Sequence, residues 1–305
     1  MSFSYARGQI NPVVNYYYDA GARQRFSAWH VVIGFMFLAA AMTIYFAKMV
    51  TSNLQLVSAA ESPTYSLRTP TPTPAVVAPI STAPDTNNLQ TEIDAWIRAH
   101  KGVDWAVSVE KLDGGLSASV NPDQVFSLAS IYKLFLLQPL AQKIPSSQWS
   151  TTKIESKTYA SCVDAMLRVS DNACAEAIGA SLGWTKAQNY LRSLGYGKPT
   201  FLADTTTGTV NETAALLKNL YQSEGFDELT RTSALQAMLA PKKTEGIRHG
   251  CDGCTVYNKI GDLAGYHNDA AIIEKNGKAY SVVIFSKTGS WEQIAELTKI
   301  ISAHF

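Results

Sequence analysis

The sequence predicts an α/β (α+β) domain in which an antiparallel five-stranded sheet is flanked by N- and C-terminal helices and carries an inserted all-helical region, preceded by one transmembrane helix. Three observations support this fold class. One long apolar stretch lies near the N-terminus. Two groups of segments with period-two apolar alternation lie far apart in the chain, and segments with helical spacing fill the interval between them.

The apolar stretch predicts a membrane-spanning helix at residues 28–50. Residues 28–47 contain no Asp, Glu, Lys or Arg, and a helix of that length spans about 30 Å, which matches the hydrocarbon core of a bilayer. The nearby cations are Arg7, Arg23 and Arg25 before the stretch and Lys48 after it. Because cations favour the cytoplasmic side, we expect a cytoplasmic tail at residues 1–27 and a single-pass protein of the cell membrane. A cleaved signal peptide fits less well, because the apolar run of a signal peptide is shorter than this stretch.

The rest of the chain divides into a linker and one globular domain. Residues 51–88 are rich in Ser, Thr, Pro and Ala, a composition that favours an extended tether over a packed core. Residues 89–305 have the mixed composition of a globular domain, which we expect on the extracytoplasmic side. The net charge is +1 with no long block of either sign, which argues against a nucleic-acid surface.

Periodicity predicts the elements of the domain in order. Residues 89–100 have helical spacing, and residues 103–112 and 116–120 alternate as two strands around a glycine turn. Helical stretches follow at 131–143, 162–169, 173–182, 185–194, 210–223 and 228–239. The strands that complete the sheet are predicted at 255–261, 266–274 and 279–286, with a hairpin turn at Asn276-Gly277 and a capping box, Ser290 to Gln293, that opens the closing helix.

The first candidate site is Ser130 with Lys133, at the start of a strongly apolar helical stretch. Residues three apart on a helix lie on one face, so the lysine amine is within reach of the serine hydroxyl. In a partly dry cleft such an amine loses its proton near neutral pH and acts as a base. The pattern alone is weak: an ordinary N-cap serine gives the same sequence, and Ser150 with Lys153 repeats the spacing in a polar segment.

Two further candidates lie downstream. Ser170 and Asn172 belong to an S-D-N triplet in a short break between two predicted helices, where a plain helix cap is the alternative. Lys259 and Gly261 lie on the first strand of the late group, where a substrate backbone can lie along an exposed strand edge. A literal K-T-G at residues 287–289 is interpreted as a strand-to-helix turn.

Taken together, these three elements resemble the layout of the penicillin-binding proteins and class A β-lactamases over residues 89–305. The resemblance implies a serine hydrolase that needs no cofactor and no metal, and that acts on β-lactams or D-alanyl-D-alanine-type cell-wall peptides. It also implies that Ser130 is acylated, that Lys133 accepts its proton, that Ser170 passes a proton to the leaving nitrogen and that Asn172 holds the substrate amide.

The late strand carries the substrate-binding positions that the resemblance implies. Lys259 is expected to attract the substrate carboxylate, with Gly261 beside it, and the backbone N–H groups of Ser130 and Asp262 are expected to form the oxyanion hole. Two residues depart from the family. Ile260 replaces the usual Thr or Ser and removes a hydroxyl, and Asp262 adds a negative charge.

A second departure concerns the loop glutamate that activates water in class A β-lactamases. Residues 183–211 contain one acidic residue, Asp204, so this glutamate is missing and we expect slow breakdown of the acyl-enzyme. Two other functions stay open: a genuine β-lactamase that activates water in another way, and an inactive, surface-displayed binding domain.

The four cysteines, Cys162, Cys174, Cys251 and Cys254, all lie in the predicted exported domain. Outside the cytoplasm an even number of cysteines usually pairs, so we expect the first two to bridge the S-D-N break and the last two to close a tight loop. The alternative is a zinc site from Cys251, Cys254, His249 and His267. A Ser-His-Asp triad with either histidine lacks its elbow motif.

Overall fold

The computed structural model describes residues 86–202 and 205–305. The predicted tail (1–27), the predicted transmembrane helix (28–50) and nearly all of the predicted linker (51–88) lie outside these residues. Within them, no helix has both the length and the apolar character needed to cross a bilayer. The first helix begins at Thr86, inside the range assigned to the linker.

The elements follow the predicted order. The first part contains helix α1 (Thr86–Ala99) and strands β1 (Asp104–Lys111), β2 (Ser117–Val120) and β3 (Phe126–Ser127). The helical part contains the 3-10 turn Ala129–Ile131, α2 (Tyr132–Phe135), α3 (Leu137–Lys143), the 3-10 turn Ser146–Gln148, β4 (Lys153–Ile154), β5 (Lys157–Thr158), α4 (Tyr159–Arg168), α5 (Asn172–Leu182) and α6 (Trp184–Ser193). The last part contains β6 (Thr200–Leu202), β7 (Thr205–Gly208), α7 (Val210–Gln222), α8 (Glu228–Leu239), α9 (Ile247–Gly250), β8 (Thr255–Leu263), β9 (Tyr266–Lys275), β10 (Lys278–Lys287) and α10 (Trp291–Ser302).

The main sheet has five antiparallel strands in the order β2-β1-β10-β9-β8, which confirms the predicted sheet. The chain therefore builds one edge from its first strands and the other edge from β8, with the helical part inserted between them. The predicted hairpin turn is present: Lys275 pairs with Lys278, and Asn276 and Gly277 have φ of 52° and 71°. Two successive positive φ angles are what a two-residue hairpin turn requires.

Each face of the sheet has its own apolar core. On one face, Phe285 and Val283 pack with helical residues such as Phe135, Met166 and Ile178. The residues of the other face include Leu89 and Ile93 from α1, Val282 and Ile284 from β10, and Ile294, Leu297 and Ile301 from α10. This confirms that the N- and C-terminal helices flank the sheet. Burial of each such side chain contributes about 1.5–3 kcal/mol.

Three short features differ from the prediction. The small sheet β3-β7-β6 and the hairpin β4-β5 were not predicted, because strands of two to four residues carry no period-two signal. The predicted helix 131–143 is divided between α2 and α3. Pro139 has no amide hydrogen for the carbonyl of Phe135 and its ring crowds that carbonyl, so the helix cannot continue unbroken.

Two disulfides tie the domain, as expected. Cys162 is bonded to Cys174 with a Cα–Cα distance of 4.9 Å, and Cys251 is bonded to Cys254 with 5.7 Å. Because Cys251 and Cys254 are bonded to each other, they offer no thiolates to a zinc ion. Among the described residues, no group of three His, Cys, Asp or Glu side chains is placed to hold a metal ion. The first bond joins α4 to α5 across the S-D-N break.

We predict that the two bridges contribute unequally to stability. Loop-closure entropy increases with loop length, so replacing Cys162 and Cys174 with Ala lowers the free energy of unfolding by about 3 kcal/mol, whereas replacing Cys251 and Cys254 lowers it by about 2 kcal/mol. Denaturant unfolding of both double variants under non-reducing conditions measures the difference. A larger loss from the second pair would contradict the expectation.

Candidate active site

Ser130 lies in the 3-10 turn that leads into α2. The preceding Ala129 has φ of 46°, an unusual conformation for a residue with a Cβ atom, and it turns the chain sharply after β3. No side chain caps this turn, so the Ser130 hydroxyl is not an N-cap. The hydroxyl instead accepts a hydrogen bond from Lys133 Nζ at 3.1 Å.

Lys133 is fully buried, and four oxygen atoms lie within hydrogen-bond distance of its amine. The distances from Nζ are 3.1 Å to Ser130 Oγ, 2.6 Å to Ser170 O, 3.3 Å to Ser170 Oγ and 2.7 Å to Asn172 Oδ1. Burial lowers the pKa of this amine to about 8, against the opposing charges of Asp171 and Glu176. A substantial fraction of the amine is therefore neutral near pH 7.5, which allows it to accept a proton.

The S-D-N break between α4 and α5 presents both of its flanking side chains to this amine. Ser170 has φ of 61°, and Asp171 rather than Ser170 caps α5, by accepting a hydrogen bond from Cys174 N at 2.8 Å. Because Asp171 performs the capping, the Ser170 hydroxyl and the Asn172 amide stay available to the pocket. The Cys162–Cys174 bond closes the base of the break.

Lys259 approaches the same serine from the sheet. It is 2% exposed, and its Nζ donates to Ser170 Oγ at 2.9 Å and to Ile260 O at 2.7 Å. Burial, with smaller contributions from the charges of Lys133 and Lys243, lowers the pKa of Lys259 to about 7, and the charge of Asp269 opposes the shift. Ser170 Oγ thus lies between two buried amines, which suits a hydroxyl that relays protons.

Strand β8 lies close to the turn that contains Ser130, and this close approach explains why position 261 is a glycine. A Cβ atom at Gly261 would lie 2.5 Å from Leu128 O and 3.2 Å from Ala129 Cβ, closer than van der Waals contact permits. The next strand is held to the same segment, because Asn268 Nδ2 donates to Ser127 O at 2.7 Å. A side chain at position 261 would push β8 away from Ser130.

The two residues beside the glycine lie in different surroundings. Ile260 is buried and pairs with Asp269, whereas Lys259 pairs with Ala270 on the opposite face, so Ile260 points away from the pocket. Asp262 is exposed, and Lys243 Nζ lies 2.6 Å from its Oδ2. The negative charge expected at Asp262 is therefore paired.

Behind β8 a buried polar network supports the site. Asp269 is fully buried and accepts from Asn258 Nδ2 at 3.0 Å and from Ile247 N at 2.9 Å, and Arg248 Nε donates to Asn258 Oδ1 at 3.2 Å. Burial raises the pKa of Asp269 to about 7. Neither this network nor the position of Lys243 beside Asp262 was predicted from the sequence. Only the unusual Asn and Asp at otherwise apolar strand positions signal the network, and no sequence pattern signals Lys243.

The structure brings the predicted catalytic side chains into one hydrogen-bonded cluster. These are Ser130, Lys133, Ser170, Asn172 and Lys259, and Gly261 and Asp262 follow on the same strand. The two other motif matches lie elsewhere. Lys153 is exposed in β4, and residues 287–289 form the turn before α10, whose capping box at Ser290 is confirmed. His267 packs edge-on against Trp291 at 4.9 Å and is not part of a serine triad.

Solved structures with the same fold include both penicillin-binding proteins and β-lactamases. PBP-A matches with a TM-score of 0.65 and 20% identity, over 71% of this chain and 95% of that chain. The TLA-3 extended-spectrum β-lactamase matches with a TM-score of 0.62 and 18% identity, over 72% and 98%. A β-lactamase from Chitinophaga pinensis matches with a TM-score of 0.61 and 15% identity, over 71% and 99%. These likenesses establish the fold.

Membership of a family follows from the sequence itself. Comparison with curated proteins found no match. The model of the Beta-lactamase enzyme family matches residues 88–305, which is most of the chain and nearly all of its described part. The chain belongs to the β-lactamase enzyme family and is a serine hydrolase of the β-lactamase or D,D-peptidase type.

Proposed function

We propose that the protein forms an acyl-enzyme at Ser130 with β-lactams or with D-alanyl-D-alanine-type cell-wall peptides. The observation that carries this proposal is the fully buried Lys133 amine, 3.1 Å from Ser130 Oγ and bonded to the same Ser170 side chain that Lys259 contacts. A nucleophile, a base of lowered pKa and a proton relay in one pocket are the parts that acyl transfer requires.

Each proton that moves in the proposed acylation step has a named donor and acceptor. Neutral Lys133 Nζ accepts the Ser130 proton as Oγ attacks the substrate carbonyl, and a tetrahedral intermediate forms. The backbone N–H groups of Ser130 and Asp262 hold its oxyanion. The C–N bond then breaks as the Ser170 hydroxyl gives its proton to the leaving nitrogen, and Ser170 is reprotonated by the ammonium of Lys133. Asn172 holds the substrate amide, and the positive charge of Lys259 attracts the substrate carboxylate.

Breakdown of the acyl-enzyme is proposed to be slow. Residues 183–211 carry no glutamate, and their one acidic residue, Asp204, lies outside the described residues. Water attacks an ester slowly without a well-placed base. This supports a peptidase-like or slow β-lactamase-like enzyme over an efficient antibiotic hydrolase.

A second cation, Lys243, lies near the strand that is proposed to attract the substrate carboxylate. Lys243 is about half exposed and is bound to Asp262, one residue beyond Gly261. An incoming carboxylate competes with Asp262 for this amine. The ion pair therefore lowers affinity for small anionic ligands relative to an unpaired lysine, without abolishing their binding.

The N-terminal sequence supports an anchor. The uncharged stretch 28–47 and the preceding arginines support a single span with a cytoplasmic N-terminus and an extracytoplasmic catalytic domain. The two disulfides of the domain agree with an oxidising compartment. Such an anchor keeps the enzyme next to the cell wall.

We predict that penicillin labels the protein covalently at Ser130 and that the label persists. Ser130→Ala abolishes labelling, because the hydroxyl that forms the ester is removed. Ser150→Ala, in the S-x-x-K match outside the pocket, is the matched control and labels as the native protein does. Intact-protein mass spectrometry with labelled penicillin measures gain and loss. Rapid turnover would indicate a genuine β-lactamase, and absence of label in the native protein would support a binding domain.

We predict that acylation accelerates as the pH rises. The active form of Lys133 is neutral and its pKa is about 8, so the rate constant at saturating penicillin increases about 50-fold between pH 6 and pH 8 and then levels off. Above pH 7 the dissociation constant of an anionic penicillin rises as Lys259 loses its charge. Stopped-flow acylation measures both quantities. Lys153→Ala serves as the control, and a rate constant independent of pH would exclude Lys133 as the base.

We predict that residues 28–50 hold the protein in the membrane. Deleting residues 1–50 transfers the protein from the membrane pellet to the supernatant after cell lysis, because the apolar span is removed. Deleting only residues 1–27 is the control and leaves the protein in the pellet. Recovery of the full-length protein in the supernatant would refute the anchor.

A further inference from the structure

Helix α5 carries a carboxylate that the proposed acylation mechanism does not use. The helix begins at Asn172, whose Oδ1 accepts a hydrogen bond from Lys133 Nζ at 2.7 Å. Glu176 follows four residues later, so the two side chains lie one above the other on the same face of α5, with Cβ atoms about 5–6 Å apart. The face that carries Asn172 into the active site therefore also carries Glu176.

The surroundings of Glu176 leave its carboxylate available. Glu176 is exposed, while Cys174, Ala175 and Ile178 around it are buried. Within the described part of the chain, its carboxylate makes no hydrogen bond or ion pair. Most other acidic side chains near the pocket are engaged: Asp171 caps α5, and Asp262 binds Lys243. An unpaired, solvent-exposed carboxylate can hold a water molecule.

The carboxylate also influences two residues that follow Ser130 closely in the sequence. Its negative charge raises the pKa values of both Tyr132 and Lys133, although burial is the larger influence on each. These two neighbours directly follow the Ser130–Ile131 turn. Glu176 therefore acts electrostatically on Lys133, the residue whose amine contacts Ser130 Oγ.

This position supplies what the loop between α6 and α7 lacks. Hydrolysis of an ester at Ser130 requires a base that takes a proton from water, and residues 183–211 contain no glutamate for this purpose. The backbone position of Glu176 is well defined, because α5 is anchored by a disulfide and by the Asn172 contact.

We propose that Glu176 is the general base that activates the water which hydrolyses the Ser130 acyl-enzyme. The inference rests on the acyl-enzyme proposed above. The carboxylate takes one proton from water as the water oxygen bonds to the ester carbonyl carbon. The bond from that carbon to Ser130 Oγ then breaks, and the proton returns to Oγ through Lys133. Water and acyl-serine thus give free serine and the released acid.

The test separates deacylation from acylation in the full-length protein, purified in detergent. Penicillin G is added, excess drug is destroyed with an added β-lactamase that is then removed, and intact-protein mass spectrometry follows the loss of the acyl group. Glu176→Gln, which keeps size and hydrogen bonding, slows this loss at least 10-fold, because a positioned base contributes about 10²–10⁴. Glu296→Gln, an exposed glutamate on α10 across the sheet, leaves the rate unchanged.

If Glu176 has a purely electrostatic role, its replacement changes the acylation rate and not the deacylation rate. If Glu176 acted only by raising the proton affinity of Lys133, Glu176→Gln would accelerate acylation at pH 7 and leave the deacylation rate unchanged. As a second measurement, added formate restores deacylation in Glu176→Ala if a missing carboxylate is the cause. Loss of the acyl group at the native rate in Glu176→Gln overturns the proposal, as does native acyl-enzyme that never hydrolyses. Failure of the native protein to label would instead overturn the proposed function.

Discussion

The active site depends on one constraint: the Lys133 amine is fully buried and must find its hydrogen-bond acceptors inside the protein. It finds them on two separate segments, the turn at Ser130 and the break at Ser170 to Asn172. The turn supplies one acceptor and the break supplies three. The positive φ of Ser170, the capping by Asp171 and the disulfide to α4 are local features that bring the second segment within reach of the amine.

The second buried amine imposes a related constraint on the sheet. Lys259 and Lys133 both donate to Ser170 Oγ, and the repulsion between two amines this close disfavours their simultaneous protonation. At neutral pH the pair therefore holds fewer than two extra protons. This arrangement needs β8 close to the nucleophile turn, which explains why a residue without Cβ stands at Gly261.

Much of this architecture is readable from the sequence, because long elements and motif spacing leave strong local signals. The five main strands, the capping box at Ser290 and the two cysteine pairs were all predicted. The missed features depend on contacts between distant segments. The Lys243–Asp262 ion pair joins a loop to a strand edge, and the β3-β7 pairing joins four residues separated by the whole helical region. The motif position showed that Ile260 lacks the hydroxyl of the usual Thr or Ser, but only the strand register shows which face of β8 its side chain occupies.

The base proposed for acylation, Lys133, is buried, whereas the base proposed for hydrolysis, Glu176, is exposed. This difference affects how well each group can catalyse its step. The proposed acylation uses an amine that is enclosed, desolvated and surrounded by four oxygen atoms, so little reorganisation precedes proton transfer. A carboxylate on the exposed face of α5 is hydrated and free to change rotamer, which makes it a weaker catalyst for water. Acylation and hydrolysis are then controlled by separate surfaces of the pocket. A substitution near α5 can change the lifetime of the acyl-enzyme while the geometry around Lys133 and Ser130 stays intact.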